Sequence, residues 1–188
     1  MGLPDHLERF LGTIRGGWTT DADGRKMPFN VAEFPNGPRS DTVTFSTLGL
    51  SKVPLHAQTE RTHVYEELLI IVPETLRVGP VPGVLQQIGR EAMAKQRAVL
   101  RGDVIGPRGP LFSAGSPMEA FYAANPICFP EDFASYREAD RDVVLVWLIA
   151  ISRNEAEFVH THGWSRFEDE LMKADLDLTD LRRRTLFR

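Results

Sequence analysis

The stretch TFSTLGLSKVPL, residues 44–55, contains a glycine and a serine spaced as in the nucleophile elbow G-x-S-x-G of hydrolases. An elbow also needs a second glycine two residues after the serine, and then a helix. Here Val53 stands in place of that glycine, and Pro54 follows at once. The sequence therefore predicts a turn rather than a nucleophile, in which Gly49 adopts a positive φ and Ser51 hydrogen-bonds to nearby backbone.

A serine triad would also require a histidine and a carboxylate, and the spacing of the histidines selects no partner for Ser51. His160 and His162 could instead hold a metal ion, with Glu157 or Cys128 as a third ligand. Histidines at i and i+2 face the same way on a strand but not on a helix, and the residues before this pair have a helical pattern. Structural zinc needs four converging ligands. The sequence predicts no metal and no other cofactor, and a metal-dependent hydrolase using His160 and His162 stays as the alternative function.

Three further groups of reactive residues favour structural roles. Glu66 and Glu67 are neighbours on a predicted strand, so they face opposite sides and form no catalytic dyad. A solvated face is expected for them, and the alternative is that one of them faces inward or pairs with an arginine. Cys128 lies in an apolar context, which predicts a buried and inert thiol. The basic run at residues 182–184 is expected to be a solvated tail.

Apolar periodicity and turn signals predict the elements that carry these residues. A helix over residues 3–14 is expected to end at Gly16 and Gly17, and a second helix is expected over residues 83–99. Strands are expected over residues 29–34, 42–48, 62–72, 118–129 and 143–151.

Local signals connect these elements. Asn36 and Gly37 predict a hairpin turn with positive φ between the first two strands. Ser152 with Glu155, and Ser165 with Glu168, have capping-box spacing, so a helix is expected to begin at each serine. The apolar end of the strand at 62–72 predicts a central place in the sheet. The fold class is α+β: a single domain over residues 1–188, with a mostly antiparallel or mixed central sheet flanked by helices.

Composition narrows the function. The formal net charge of −4 over 188 residues makes nucleic acid a poor partner. One cysteine forms no internal disulfide, and the longest apolar run, residues 143–151, is too short to cross a membrane. We therefore expect a cytoplasmic protein that binds neither nucleic acid nor membrane.

Four segments in this order resemble the bacterial suppressor-of-fused-like domain. They are TFSTLGLS at 44–51, YEELLIIVP at 65–73, the helix in the middle of the chain, and VVLVWLIAISRNEAEFVHTHGWSRFEDEL at 143–171. The resemblance covers about residues 31–171.

This resemblance implies a non-catalytic, protein-binding domain of mixed α/β fold. The animal relatives bind and restrain a transcription factor. Several bacterial relatives resemble immunity proteins or antitoxins, which neutralise a toxin by direct binding. The family supplies no catalytic residue to carry over, and the peptide clamp of the two-lobed animal proteins is not assumed for this chain.

The densest acidic stretch, PEDFASYREADRD at residues 130–142, is the predicted partner-binding surface. Its carboxylates would speed encounter with a basic partner, and its aromatic residues would anchor that partner. An ordinary solvated connection is the alternative, because surface loops are polar whatever they do. The partner is expected to be a protein: a toxin, a regulator or another copy of this chain. The chain itself is expected to be a monomer or weak homodimer. The predicted contact residues are Glu131, Asp132, Phe133, Tyr136, Glu138 and Asp140.

Overall fold

The computed structural model describes residues 2–57 and 62–187, and the elements named below lie within these ranges. Four helices are present there: α1 (Leu3–Leu11), α2 (Val81–Lys95), α3 (Arg153–His162) and α4 (Trp164–Ala174). Nine strands are present there: β1 (Gly16–Thr20), β2 (Lys26–Phe34), β3 (Thr42–Leu48), β4 (Leu55–His56), β5 (His63–Pro73), β6 (Val104–Ile105), β7 (Met118–Ala124), β8 (Ser135–Arg137) and β9 (Asp142–Ser152).

The strands form one mixed sheet in the order β1-β2-β3-β5-β9-β7-β6, with β4 on β5 and β8 on β9. β5 and β9 run parallel, from Tyr65 opposite Val143 to Leu69 opposite Trp147. The pairs β1–β2, β2–β3, β3–β5 and β6–β7 are antiparallel. This arrangement confirms the α+β class with a mixed sheet, and it confirms the central place of β5. The long apolar runs of β5 and β9 have the composition expected of strands covered on both faces.

The chain comprises two compact units, of which the first contains Met1–Val99 and Asn125–Trp147. Its core includes apolar side chains from α1, β2, β5, β9 and the turn before β8: Leu3, Leu7, Leu11, Ala32, Phe34, Leu69, Phe133, Val143 and Leu145. α2 packs on β2, β3 and β5. Gly89 permits this approach, because a Cβ at that position would lie 2.4 Å from Cζ of Phe29.

The second unit contains Leu100–Ala124 and Leu148–Arg188. In this unit the aromatic rings of Tyr122 on β7 and Phe167 on α4 pack edge to face, with their centroids 5.0 Å apart. The predicted capping box at the start of α3 is confirmed: Ser152 Oγ accepts from the Glu155 N–H, and Glu155 Oε2 accepts from the Ser152 N–H. Gly163 ends α3, as predicted.

The structure corrects two predicted turns in the first unit. α1 ends at Gly12 rather than at Gly16, because Gly12 takes a φ of +80° and Gly16 already belongs to β1. The loop between β2 and β3 gives neither Asn36 nor Gly37 a positive φ. Gly37 is needed there for space, since a Cβ on it would lie 2.3 Å from the Thr42 hydroxyl.

Two helix boundaries also differ from the prediction. α2 ends at Lys95 instead of continuing to Val99, because the next residues bond to β4: the His56 N–H donates to the Gln96 carbonyl, and the Ala98 N–H donates to the His56 carbonyl. α4 begins after Gly163 without a side-chain cap, so Ser165 does not cap it. Glu168 instead accepts hydrogen bonds from Arg101 and from the Tyr122 hydroxyl.

Candidate partner-binding site

The predicted acidic surface begins with a single 3₁₀ turn, Glu131–Phe133, followed by β8, which pairs with β9. The side chains of Glu131, Asp132 and Asp140 are exposed, and those of Tyr136 and Glu138 are half-buried. Phe133 is fully buried, at 0% exposure. The structure therefore places five of the six predicted contact residues at the surface, and the sixth in the core.

The buried side chain of Phe133 packs into the core and stabilises the acidic turn. Its ring lies 4.4 Å from that of Phe129 and 5.3 Å from that of Phe10, centroid to centroid. Its carbonyl oxygen lies 3.3 Å from Nε2 of His6, which is buried on α1. Phe133 is predicted from the sequence to contact a partner, but α1 already covers its hydrophobic surface. Its ring instead stabilises the acidic turn from the core.

The carboxylates in the second half of the acidic surface are paired with arginines of the same segment. Arg141 lies 3.0 Å from the Glu138 carboxylate and 3.2 Å from that of Asp140. Arg137 pairs with Asp142. The alternation of acids and arginines in the sequence is the signal that indicates this pairing. Each of the three carboxylates in this half therefore lies beside an arginine, although Glu138 and Asp140 share Arg141.

The carboxylates of the first half are less fully paired. Asp132 pairs with Arg9 of α1 over 3.4 Å, with both side chains exposed, and exposed pairs of this kind contribute only about 0–1 kcal/mol. In the described part of the chain Glu131 makes no ion pair. The start of the turn therefore presents a carboxylate that is not paired with a cation of the described chain.

A small hollow of about 260 Å³ adjoins Glu131, and we call it the Ile127 hollow. Ile127 itself is 78% exposed. Sequence reasoning missed this feature, although the two prolines flanking residues 127–129 are a local signal for a rigid loop. The hollow is lined by Asn125, Pro126, Ile127, Phe129, Pro130, Glu131 and Ala134.

Ser51 lies in a buried turn whose centre is the carboxylate of Glu67. Oε1 of Glu67 accepts from the Ser51 hydroxyl at 2.7 Å, from the Gly49 N–H at 2.7 Å and from the Ser51 N–H at 3.2 Å. Oε2 accepts from the Thr47 hydroxyl at 2.6 Å. The predicted positive φ of Gly49 is confirmed at +99°, while the Ser51 side chain bonds to a carboxylate rather than to nearby backbone.

The two neighbouring glutamates are both buried, so the expected solvated face is wrong. Burial raises the pKa of Glu67, and the hydrogen bonds from Thr47, Ser51 and Gly49 act against that rise. Glu66 accepts from the Val99 N–H, at 3.0 Å and 3.2 Å to its two oxygens. Each carboxylate thus fixes a loop in the first unit by binding its backbone.

The histidine pair at 160 and 162 lies on α3, as its helical pattern predicted. His160 is exposed, and the His162 ring packs on that of Phe158 with centroids 4.4 Å apart. Within residues 2–57 and 62–187, no three histidine, cysteine or carboxylate side chains converge to hold a metal ion. The arrangement gives the alternative hydrolase no ligand set.

The basic tail contains a buried ion pair where a solvated run was expected. Arg183 is 3% exposed at its side chain and binds Glu155, which is 0% exposed, over 2.7 Å. Burial alone would raise the pKa of Glu155, but the hydrogen bonds and charge of Arg183, together with the hydrogen bonds from the Ser152 and Leu186 N–H groups, lower that pKa. Glu155 also accepts from the Leu186 N–H. The same carboxylate therefore caps α3 and binds the backbone at Leu186.

The single cysteine differs from its prediction in one respect. Cys128 is exposed rather than buried. Its thiol is nevertheless partly desolvated, which raises its pKa to about 11. A thiol with such a pKa is largely protonated at neutral pH, and it is therefore a poor nucleophile.

Comparisons with known proteins give a family and a fold. The family model described as suppressor of fused protein (SUFU) matches residues 25–184. A SUFU homolog from Neisseria gonorrhoeae FA 1090 is 20% identical with a TM-score of 0.72, covering 98% of this chain and 94% of that chain. The Sufu–Fu complex is 16% identical with a TM-score of 0.73, covering 98% and 90%. Drosophila Suppressor of Fused is 16% identical with a TM-score of 0.71, covering 98% and 50%.

These matches confirm the resemblance inferred from residues 44–51, 65–73 and 143–171. None of the curated proteins matches the sequence. Across residues 2–57 and 62–187, no helix is long and apolar enough to span a membrane.

Proposed function

The chain belongs to the suppressor of fused family, and from that premise we propose that it is a non-catalytic domain that binds another protein. The observation that carries the proposal is the turn at Glu131–Phe133, which presents exposed carboxylates on a backbone fastened by a buried phenylalanine. A surface held in one conformation loses little entropy on binding. One solved structure with this fold is a complex of Sufu with Fu, which supports a partner of the same kind, another protein.

The contact surface in this proposal comprises the exposed and half-buried members of the predicted set, Glu131, Asp132, Tyr136, Glu138 and Asp140. The partner is a toxin or a regulator that presents a basic face, and binding restrains it by covering that face. Charge complementarity would raise the association rate, and salt would lower that rate. We place the protein in the cytoplasm, with a protein partner and no cofactor.

Capture of partners from the native host, followed by mass spectrometry, tests this function. Three charge-reversal variants allow comparison: Glu131→Lys with Asp132→Lys, Glu138→Lys with Asp140→Lys, and the control Glu157→Lys with Asp169→Lys. The control pair is exposed on α3 and α4 and changes net charge equally.

The proposal predicts one abundant partner that both wild type and the control retain, and that at least one of the acidic-surface variants loses. A partner retained by all three variants would place the interface elsewhere on the protein. Substrate turnover by the purified protein, with no captured partner, would contradict a binding function.

A further inference from the structure

At the start of the acidic surface, an exposed isoleucine, an apolar hollow and Glu131, which makes no ion pair within residues 2–57 and 62–187, lie together. We infer that the Ile127 hollow binds a linear segment of the partner in which one large apolar side chain stands beside a lysine or arginine. This inference rests on the proposed protein-binding function and assigns it a recognition element.

The size of the hollow favours a single side chain. Its volume is about 260 Å³, whereas pockets that hold small-molecule ligands measure about 300–1,000 Å³. Pro126, Phe129, Pro130 and Ala134 supply apolar walls. Ile127, 78% exposed, extends the apolar surface beyond them. A leucine, phenylalanine or methionine from a partner would bury apolar area against the walls of the hollow and against Ile127.

The charge beside the hollow favours a cation next to that apolar side chain. Glu131 forms part of the wall, and within residues 2–57 and 62–187 it makes no ion pair. Asp132 follows it, and its pair with Arg9 is exposed and therefore easily exchanged for a partner's lysine or arginine. An acidic segment would place like charges together, which disfavours it.

The backbone around the hollow is already fixed. The Phe129 N–H donates to the Pro126 carbonyl at 3.1 Å, and the Ala134 N–H donates to the Glu131 carbonyl at 3.2 Å. The Leu145 N–H of β9 donates to the Ala134 carbonyl at 2.9 Å. Since little of this loop must be ordered on binding, the contacts contribute more of their energy to affinity.

The opposite end of the acidic surface is the internal comparison. There Arg141 already satisfies Glu138 and Asp140. A partner cation would have to compete with an arginine held close to both carboxylates. Recognition therefore depends on residues 125–134 more than on residues 137–142.

Selection from a displayed library of random linear peptides on the full chain tests the inference. We expect enriched peptides to share a large apolar residue with a lysine or arginine beside it. Their affinity, measured by fluorescence anisotropy, should fall at least about tenfold for Ile127→Ser and for Glu131→Lys, a loss typical of interface hot spots. The matched control Glu157→Lys, at an exposed position on α3 outside this surface, should change it less than about threefold.

Peptides that bind Ile127→Ser and wild type equally would overturn the inference, as would an enriched set without basic residues or no enrichment at all. A wild-type dimer that Ile127→Ser dissociates would also overturn it, because the occupant would then be a second copy. In each of these cases the capture experiment still decides the protein-binding function independently, since it requires no short peptide.

Discussion

The Ser51 hydroxyl donates a hydrogen bond of 2.7 Å to Oε1 of Glu67, and both residues are buried. The same oxygen accepts from the N–H groups of Gly49 and Ser51. The carboxylate thus organises the turn after β3 by satisfying donors that would otherwise be buried without partners. The serine with the spacing of a nucleophile elbow is a structural donor, and no histidine lies among the hydrogen-bond partners described for it.

Ser51→Ala should lower the free energy of unfolding by about 1–3 kcal/mol, because it removes a buried hydrogen bond to a carboxylate. Chemical denaturation followed by circular dichroism measures this change. Ser165→Ala is the matched control, since Ser165 is exposed and caps no helix; its effect should stay within about 0.5 kcal/mol. Equal stability of the two variants would contradict the role of Ser51.

Arg183→Met should lower the free energy of unfolding by about 3–5 kcal/mol, because it leaves the buried Glu155 carboxylate without its cation. Arg182→Met changes the neighbouring, exposed arginine and should alter stability by less than about 0.5 kcal/mol. Urea denaturation of both variants provides the comparison. A small loss for Arg183→Met would mean that the basic tail does not contribute to the folded state.

The Arg183–Glu155 pair also predicts a pH dependence. In wild type the folded-state pKa of Glu155 lies below its ordinary 4.5, so the pair's stabilisation is full above pH 4.5 and is lost as pH falls through the lower folded value. In Arg183→Met the Glu155 carboxylate keeps only the hydrogen bonds from the Ser152 and Leu186 N–H groups against the effect of burial, and acid relieves the buried charge. The stability difference between the two proteins should therefore narrow as pH falls from about 7 to about 3. A constant difference would show that Glu155 does not titrate in this way.

Gly89→Ala should destabilise the protein although alanine favours helices by about 1 kcal/mol over glycine. The added Cβ would meet the Phe29 ring at 2.4 Å. Gly83→Ala on the same helix meets no atom within 4 Å and should leave stability unchanged or raise it by up to about 1 kcal/mol. Thermal unfolding of both variants tests the close packing of α2 on β2.

Phe133→Ala should lower the free energy of unfolding by about 3–5 kcal/mol, the usual effect of truncating a buried aromatic residue. Ile127→Ser should change it by less than about 0.5 kcal/mol, because Ile127 is 78% exposed. Comparison of the two variants separates the packing of the core beneath the acidic surface from the exposed residues beside that surface. If Phe133→Ala were neutral, the aromatic cluster beneath the turn would not hold it.

Signals that lie close together in the sequence predicted the structure well. β3 was predicted with its observed bounds, and the capping box of Ser152 and Glu155 was predicted from spacing alone. The turn at Gly49 followed from its sequence, because glycine takes a positive φ without strain.

Partners far apart in the sequence were not predictable. Glu67 and Arg183 are charged, and charged residues are usually exposed; their burial depends on groups 16 to 28 residues away. Ser165 and Glu168 have the same spacing as the capping box of α3, yet Glu168 is used by Arg101 and Tyr122. The acidic surface was found from composition, whereas the hollow beside it exists only once β8 and β9 fix the loop.

Native mass spectrometry of this protein mixed with its captured partner tests the central claim most directly, because it weighs both the complex and each chain. The account predicts a stoichiometric complex whose mass equals the sum of two unaltered chains, and its loss when Glu131 and Asp132 become lysine. A partner whose own mass changes in the presence of a small fraction of this protein would contradict the account, since that result requires catalysis.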